Sequence, residues 1–189
     1  MRIADAGMLK EVNLDDMVEI IALMHNHVKV GCSPVIQDDD DESSDSVHAI
    51  MLSAEACLVI LHLMTGDELA MEIFNEDAIE KILEFVSHHL KYNIYVFYDI
   101  IQRQKFRPNT CTDTDEQRAA KRAKLGKKRA GMVVSNAAKA VTTRVEAILG
   151  VLHHLFSRVT IQSSQLNTLI NSVLQALTIE GIELLQLHA

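Results

Sequence analysis

The sequence predicts an all-α fold, and three observations carry that prediction. Only 7 Gly and 2 Pro occur among 189 residues, too few turn residues for the many short strands of a sandwich or barrel. Aromatics make up 4% and Trp is absent, so Leu, Ile, Val, Ala and 8 Met supply the apolar surface, a mix suited to helix-on-helix packing. Apolar residues also recur at three- and four-residue steps along most of the chain. With 48% hydrophobic and 23% charged residues, the composition is globular and the length is sufficient to bury a core.

The first periodic segment follows Asn13, a good N-cap, with Asp15 and Asp16 in the turn where they complement the helix dipole. Leu14, Met17, Ile20, Ile21, Met24 and Val28 share one face, predicting a helix from Leu14 to Val30 that Gly31 and Pro34 end. Residues Gln37 to Ser46 read QDDDDESSDS and hold six acids with nothing apolar to pack, which predicts a disordered, solvated acidic loop.

From Val47 to Thr65 the chain is apolar on nearly every face, the pattern of a buried helix. Gly66 stands where a left-handed cap residue is wanted. Asn75, Glu76 and Asp77 open another helix, in which Ile79, Ile82, Leu83, Val86 and Leu90 form a stripe running to about Tyr92. Tyr92, Tyr95, Phe97 and Tyr98 cluster beyond it, and their interleaving with Ile94 and Val96 also admits a strand.

Residues 107–131 have no apolar stripe and are expected to form an exposed, mobile basic loop. Val134, Ala138, Val141, Val145, Ile148, Leu152 and Leu155 then alternate four- and three-residue steps, a stripe that demands a partner helix. Leu166, Leu169, Ile170, Val173, Leu174 and Leu177 make a further amphipathic helix, and Thr178 is expected to cap a last one ending near Leu187.

These elements divide the chain into an N-terminal helix with an acidic linker (1–46), a helical pair (47–106), a basic linker (107–131) and a helical pair or triple (132–189). Helical pairs of about 40 residues have the size of a HEAT-type repeat, although an ordinary bundle would give the same pattern.

Composition and motifs exclude several function classes. With 18 Lys and Arg against 26 Asp and Glu, the formal charge of -8 makes the molecule as a whole repel a phosphate backbone, so any nucleic-acid contact is local. Cys32, Cys57 and Cys111 are odd in number and widely spaced, which fits neither a disulfide framework nor a zinc site and points to a reducing compartment. The apolar run Met51 to Met64 falls short of the roughly 20 residues needed to span a bilayer, and the acids in the first 16 residues do not suit a signal peptide. A soluble intracellular protein without membrane contact is expected.

No Gly-rich phosphate loop, nucleophile elbow or catalytic triad stands out. His88 with His89 and His153 with His154 are consecutive on helices, about 100° apart, and no acid completes a metal site at the i, i+4 spacing. They read as boundary and surface residues. No enzyme activity, catalytic residue, metal, cofactor or small-molecule substrate is expected.

The sharpest local feature is basic. Arg118, Lys121, Arg122, Lys124, Lys127, Lys128 and Arg129 place seven cations within twelve residues. Lys121 to Lys124 match a nuclear-import cluster. The seven also suit a loop on DNA phosphates, with a log-log salt slope of at most about -6, or a linker that only keeps the chain soluble. No aromatic interleaves them, so base stacking is not implied.

The order of features resembles a known family. SAEACLVILHLMTG (Ser53 to Gly66), FNEDAIEKILEFVSHHLKYNIY (Phe74 to Tyr95), AKRAK (Ala120 to Lys124) and the C-terminal helices with Glu183 to Leu187 are similar to the Nipped-B or delangin family of cohesin loaders, over residues 47–189. The resemblance implies part of the N-terminal region of a HEAT-repeat α-solenoid. It would act without an active site, in the nucleus on chromatin, with a loader partner subunit, cohesin SMC and kleisin subunits, and DNA. Members of the family are several times longer.

A second reading is an unrelated helical adaptor that binds partner helices in apolar grooves. Under the solenoid reading, the helix Val134 to Phe156 and the last helix are expected to be partly uncovered, favouring self-association or marginal stability.

Overall fold

The computed structural model describes residues 13–37, 44–66, 73–98, 135–159, 163–179 and 182. Every regular element among them is helical, so the fold is all-α, as the composition predicts. Helix α1 spans Leu14–Gly31, α2 Asp45–Met64, α3 Glu76–His89, α4 Asn136–Phe156 and α5 Ser163–Ala176.

Polar caps set where the helices start. The Asn13 side chain accepts from the Asp15 amide, Ser44 from Val47, Asn75 from Ala78 and Ser135 from Ala138, each satisfying a backbone donor with no partner inside its helix. Ser44 moves the start of α2 into what reads as acidic loop, because Asp45 and Ser46 are helical. The acids of 38–43 lie outside the described residues, as do Val134 and the basic segment.

Two expectations about helix ends are corrected. Gly31 is the last residue of α1, and Cys32 caps it in right-handed conformation. Thr65 caps α2, and Gly66 follows it. The aromatic cluster is not a strand: α3 passes into a π-helical turn, Leu90–Ile94, and residues 95–98 are again helical. In that wider turn the Tyr95 amide reaches back five residues to the Leu90 carbonyl.

The helices stack in two layers. α2 and α4 pack against each other in one, while α3 packs on α1 and on α5 in the other. α1 packs against α2 across the layers, as the π-helical turn does against α4. Polar contacts join the helices within each layer. Cys32 reaches the Lys81 carbonyl and Gly31 meets His89 between α1 and α3, while Glu55 pairs with Arg144 and Thr65 with Arg158 at α4 and just past its end.

The core between the layers holds Met17, Ile21, Ile50, Ile60, Leu61, Ile79, Ile82, Phe85, Leu90, Ile94 and Ile148. α2 has the length and composition to cross a bilayer, contrary to the short run counted in the sequence. Ten of its residues, including Ala54, Cys57, Ile60 and Met64, are buried by neighbouring helices, which accounts for its apolar character.

The helix expected to be uncovered is covered. All six described members of its stripe, Ala138, Val141, Val145, Ile148, Leu152 and Leu155, are buried, because α2 and the π-helical turn take up that face. Exposed apolar side chains form runs on α1 and α5, with Val35, Leu52, Tyr92 and Val96 exposed elsewhere, and Ile20, placed on the α1 core face by its spacing, is among those on α1. Thr178 donates its hydroxyl back to the Gln175 carbonyl at 2.8 Å and so belongs to the end of α5. Ile179 and Ile182 beyond it are buried, and the rest of the expected last helix lies outside the described residues.

Candidate interaction surfaces and the clamp that positions them

All seven cations singled out in the sequence, Arg118, Lys121, Arg122, Lys124, Lys127, Lys128 and Arg129, lie outside the described residues. The segment that carries them joins residue 98, at the end of the α3 extension, to Ser135, the cap of α4. Among the described residues no group of three His, Cys, Asp or Glu is arranged to hold a metal ion.

The most developed polar structure is buried, not exposed. His89 is fully buried at the end of α3, which corrects its reading as a boundary residue. Its Nε2 lies 2.8 Å from the Gly31 carbonyl oxygen, an acceptor only, so the hydrogen sits on Nε2. Nδ1 is then free to accept from the Asn93 amide at 2.6 Å. The same amide nitrogen donates to the Pro34 carbonyl at 3.0 Å, while Asn93 Oδ1 accepts from the Ile36 backbone at 2.8 Å. His88 adds a bond from Nε2 to Pro34 at 3.2 Å.

These bonds clamp the connection from Gly31 to Ile36 onto the end of α3, satisfying backbone groups that would otherwise be buried without partners. Burial lowers the His89 pKa to about 4, the Gly31 bond opposing and His88 adding to that shift, so the ring is neutral near pH 7. Sequence reasoning missed the clamp. Its signal was present: His89 and Asn93 continue the three- and four-residue spacing of Ile82 and Val86 on the buried face.

Small residues let α1 approach α2 and α3 closely. A Cβ on Gly31 would lie 2.3 Å from Ser53 Cβ, 2.4 Å from its Oγ and 2.9 Å from the Phe85 ring. Ser53 Oγ also lies within hydrogen-bond reach of the carbonyls of His27, at 2.7 Å, and Ala49, at 2.9 Å. On the other side, the Tyr95 hydroxyl donates to the Ser172 carbonyl at 2.5 Å, fixing α5 to the extension of α3. Burial pushes the Tyr95 pKa up, so the phenol stays protonated and remains a donor.

Among the described residues, two exposed apolar stripes are surfaces that a partner could use. On α1, Ile20, Leu23 and Val30 are exposed along one flank with Asp16, Glu19 and His27. On α5 and the turn just past its end, Ile170, Leu174 and Leu177 follow the i, i+4, i+7 spacing of one helix face, at 47%, 53% and 60% exposure. Exposed apolar stripes of this kind mark binding surfaces more often than isolated exposed side chains do.

Comparison with known proteins agrees with the resemblance in part. The chain is similar to Nipped-B-like protein B of Danio rerio, 24% identical over 111 residues that take in 54% of this chain and 4% of the relative. It is similar to Nipped-B-like protein A of the same organism, 25% identical over 111 residues, 54% of this chain and 5% of the relative. Nipped-B-like protein of Homo sapiens is 22% identical over 111 residues, 54% of this chain and 4% of the relative. No family model matches, and no solved structure matches. The chain thus spans about one-twentieth of the length of the curated relatives it matches, and its similarity to Nipped-B-like proteins is distant and partial.

Proposed function

We propose that this chain is a non-enzymatic helical scaffold of the cohesin-loading type, built from HEAT-like helical pairs of an α-solenoid. The observation that carries the reading is the alternation of layers, α1, α3 and α5 against α2 and α4, on a chain similar to Nipped-B-like proteins. α1 packs on α2, and each helix packs on its next-but-one neighbour, α1 on α3, α2 on α4 and α3 on α5, which builds a continuous core of the kind found in stacked repeats. The scaffold would help place cohesin on chromatin, support sister chromatid cohesion and gene regulation, and contact the SMC and kleisin subunits together with a loader partner subunit.

In this reading the segment from Arg118 to Arg129 is a nuclear-import signal or a loop on DNA phosphates. Replacing its seven cations with Ala is expected to move the tagged chain out of the nucleus or to flatten the salt dependence of its DNA binding. Affinity capture of the tagged chain from nuclear extract is expected to enrich SMC and kleisin subunits. Their absence from the captured material, with import and DNA binding unchanged in the Ala variant, would remove the loader reading. The exposed stripes of α1 and α5 favour a second reading, an adaptor that binds amphipathic partner helices, and capture of other helical proteins without cohesin would support it.

A further inference from the structure

We propose that α5 is the face through which two copies of this chain pair, two-fold symmetrically, stripe against stripe. A molecule with a net charge of -8 repels its own copies wherever charged surfaces meet. α5, SSQLNTLINSVLQA, is the one described helix with no charged residue. Its exposed positions Asn167, Asn171 and Gln175 are neutral amides beside Ile170, Leu174 and Leu177.

Depletion of charge around an apolar centre is the compositional mark of an interface core. The α1 stripe lacks it, because exposed Asp15, Asp16 and Glu19 share that helix and would meet a like-charged copy. A two-fold contact also needs a surface complementary to itself, and a neutral apolar stripe rimmed by groups that both donate and accept hydrogen bonds meets that condition. The flank of α5 beside the stripe, about a quarter-turn round the helix, is already engaged, with Leu169, Val173 and Ala176 buried and Tyr95 bonded to Ser172, so the stripe is held in place at the surface. One helix face is smaller than the roughly 800 Å² per partner of a standard interface, so the pairing is expected to be weak and concentration dependent.

The test is sedimentation of the full chain over a hundredfold concentration range, with Leu174→Ser, Asn171→Glu and Leu23→Ser beside it. The first two sites are exposed on α5 and the third on α1, so all three variants keep the fold, which circular dichroism checks. The chain is expected to pass from monomer to dimer and no further. Leu174→Ser and Asn171→Glu are each expected to raise the dissociation constant tenfold or more, with the Asn171→Glu effect shrinking in high salt and the Leu174→Ser effect persisting. Leu23→Ser is expected to change nothing. A monomer at every concentration would overturn the proposal. So would growth beyond the dimer, which marks head-to-tail stacking, or a loss in Leu23→Ser as large as in Leu174→Ser.

Discussion

His89 and Gly31, 58 residues apart, are joined by a bond from the imidazole Nε2 to the carbonyl oxygen at the last residue of α1. The carbonyl can only accept, so the bond requires a hydrogen on Nε2, and the Asn93 amide at Nδ1 leaves no position for a second proton. The folded state therefore selects the neutral ring.

Selection of the neutral ring makes stability depend on pH. Folded His89 takes up a proton only near pH 4, against an ordinary value of 6.5 in the unfolded chain. Between those values the unfolded state binds the extra proton, so stability falls as the pH drops from about 6.5 to about 4 and the loss is complete below. The loss attributable to this group is at most roughly 3 kcal/mol. Urea unfolding across that window measures it, and His89→Gln is expected to be less stable at pH 7 with a flatter dependence.

Gly31 is held to its size by what faces it. Gly31→Ala is expected to cost about 1–3 kcal/mol through overpacking, more than the helix propensity it gains. Because Ser53 Cβ is the nearest atom, Ser53→Ala does not relieve the clash, whereas Ser53→Gly does so in part. Thermal melts of the two double variants separate these outcomes.

Tyr95→Phe removes the hydroxyl that holds the Ser172 carbonyl and is expected to cost about 1 kcal/mol. The loss is expected to be local. Amide hydrogen exchange of α5 should accelerate while α1, α2 and α4 change little, because α5 packs chiefly on α3 and its π-helical extension.

The ion pair between Glu55 and Arg144, at 2.8 Å, joins α2 to α4 in partly exposed surroundings. Glu55→Gln is expected to lower stability by under about 1 kcal/mol, an effect that shrinks further in high salt. Phe85→Ala, at a fully buried ring, is expected to cost about 3–5 kcal/mol. Chemical denaturation of the two variants side by side checks that packing, and not this pair, holds the layers together.

Much of the fold was legible because spacing and burial agree where a helix is enclosed by its neighbours. Ile79, Ile82, Leu83 and Val86 were placed on the core face of α3, as were the stripe residues of α4 from Ala138 to Leu155, and all are buried. The reading failed where a helix lies at the edge of its layer. Ile20, Ile170, Leu174 and Leu177 carry the apolar spacing of a core face, but no described helix covers them. Periodicity reports which side chains share a face and is silent on how wide a partner lies opposite. The clamp was missed for another reason: His89 and Asn93 acquire their partners from a connection more than 50 residues earlier, a distance that local pattern does not reach.

The clamp also sets an order of events during synthesis. Gly31, Pro34 and Ile36 leave the ribosome with α1, but the side chains that satisfy their backbone groups arrive only with His89 and Asn93. Until then those groups can be bonded only to water, so the end of α1 cannot be sealed against its neighbours. Any translational pause or proteolytic cut before Asn93 would leave α1 and α2 as an open pair.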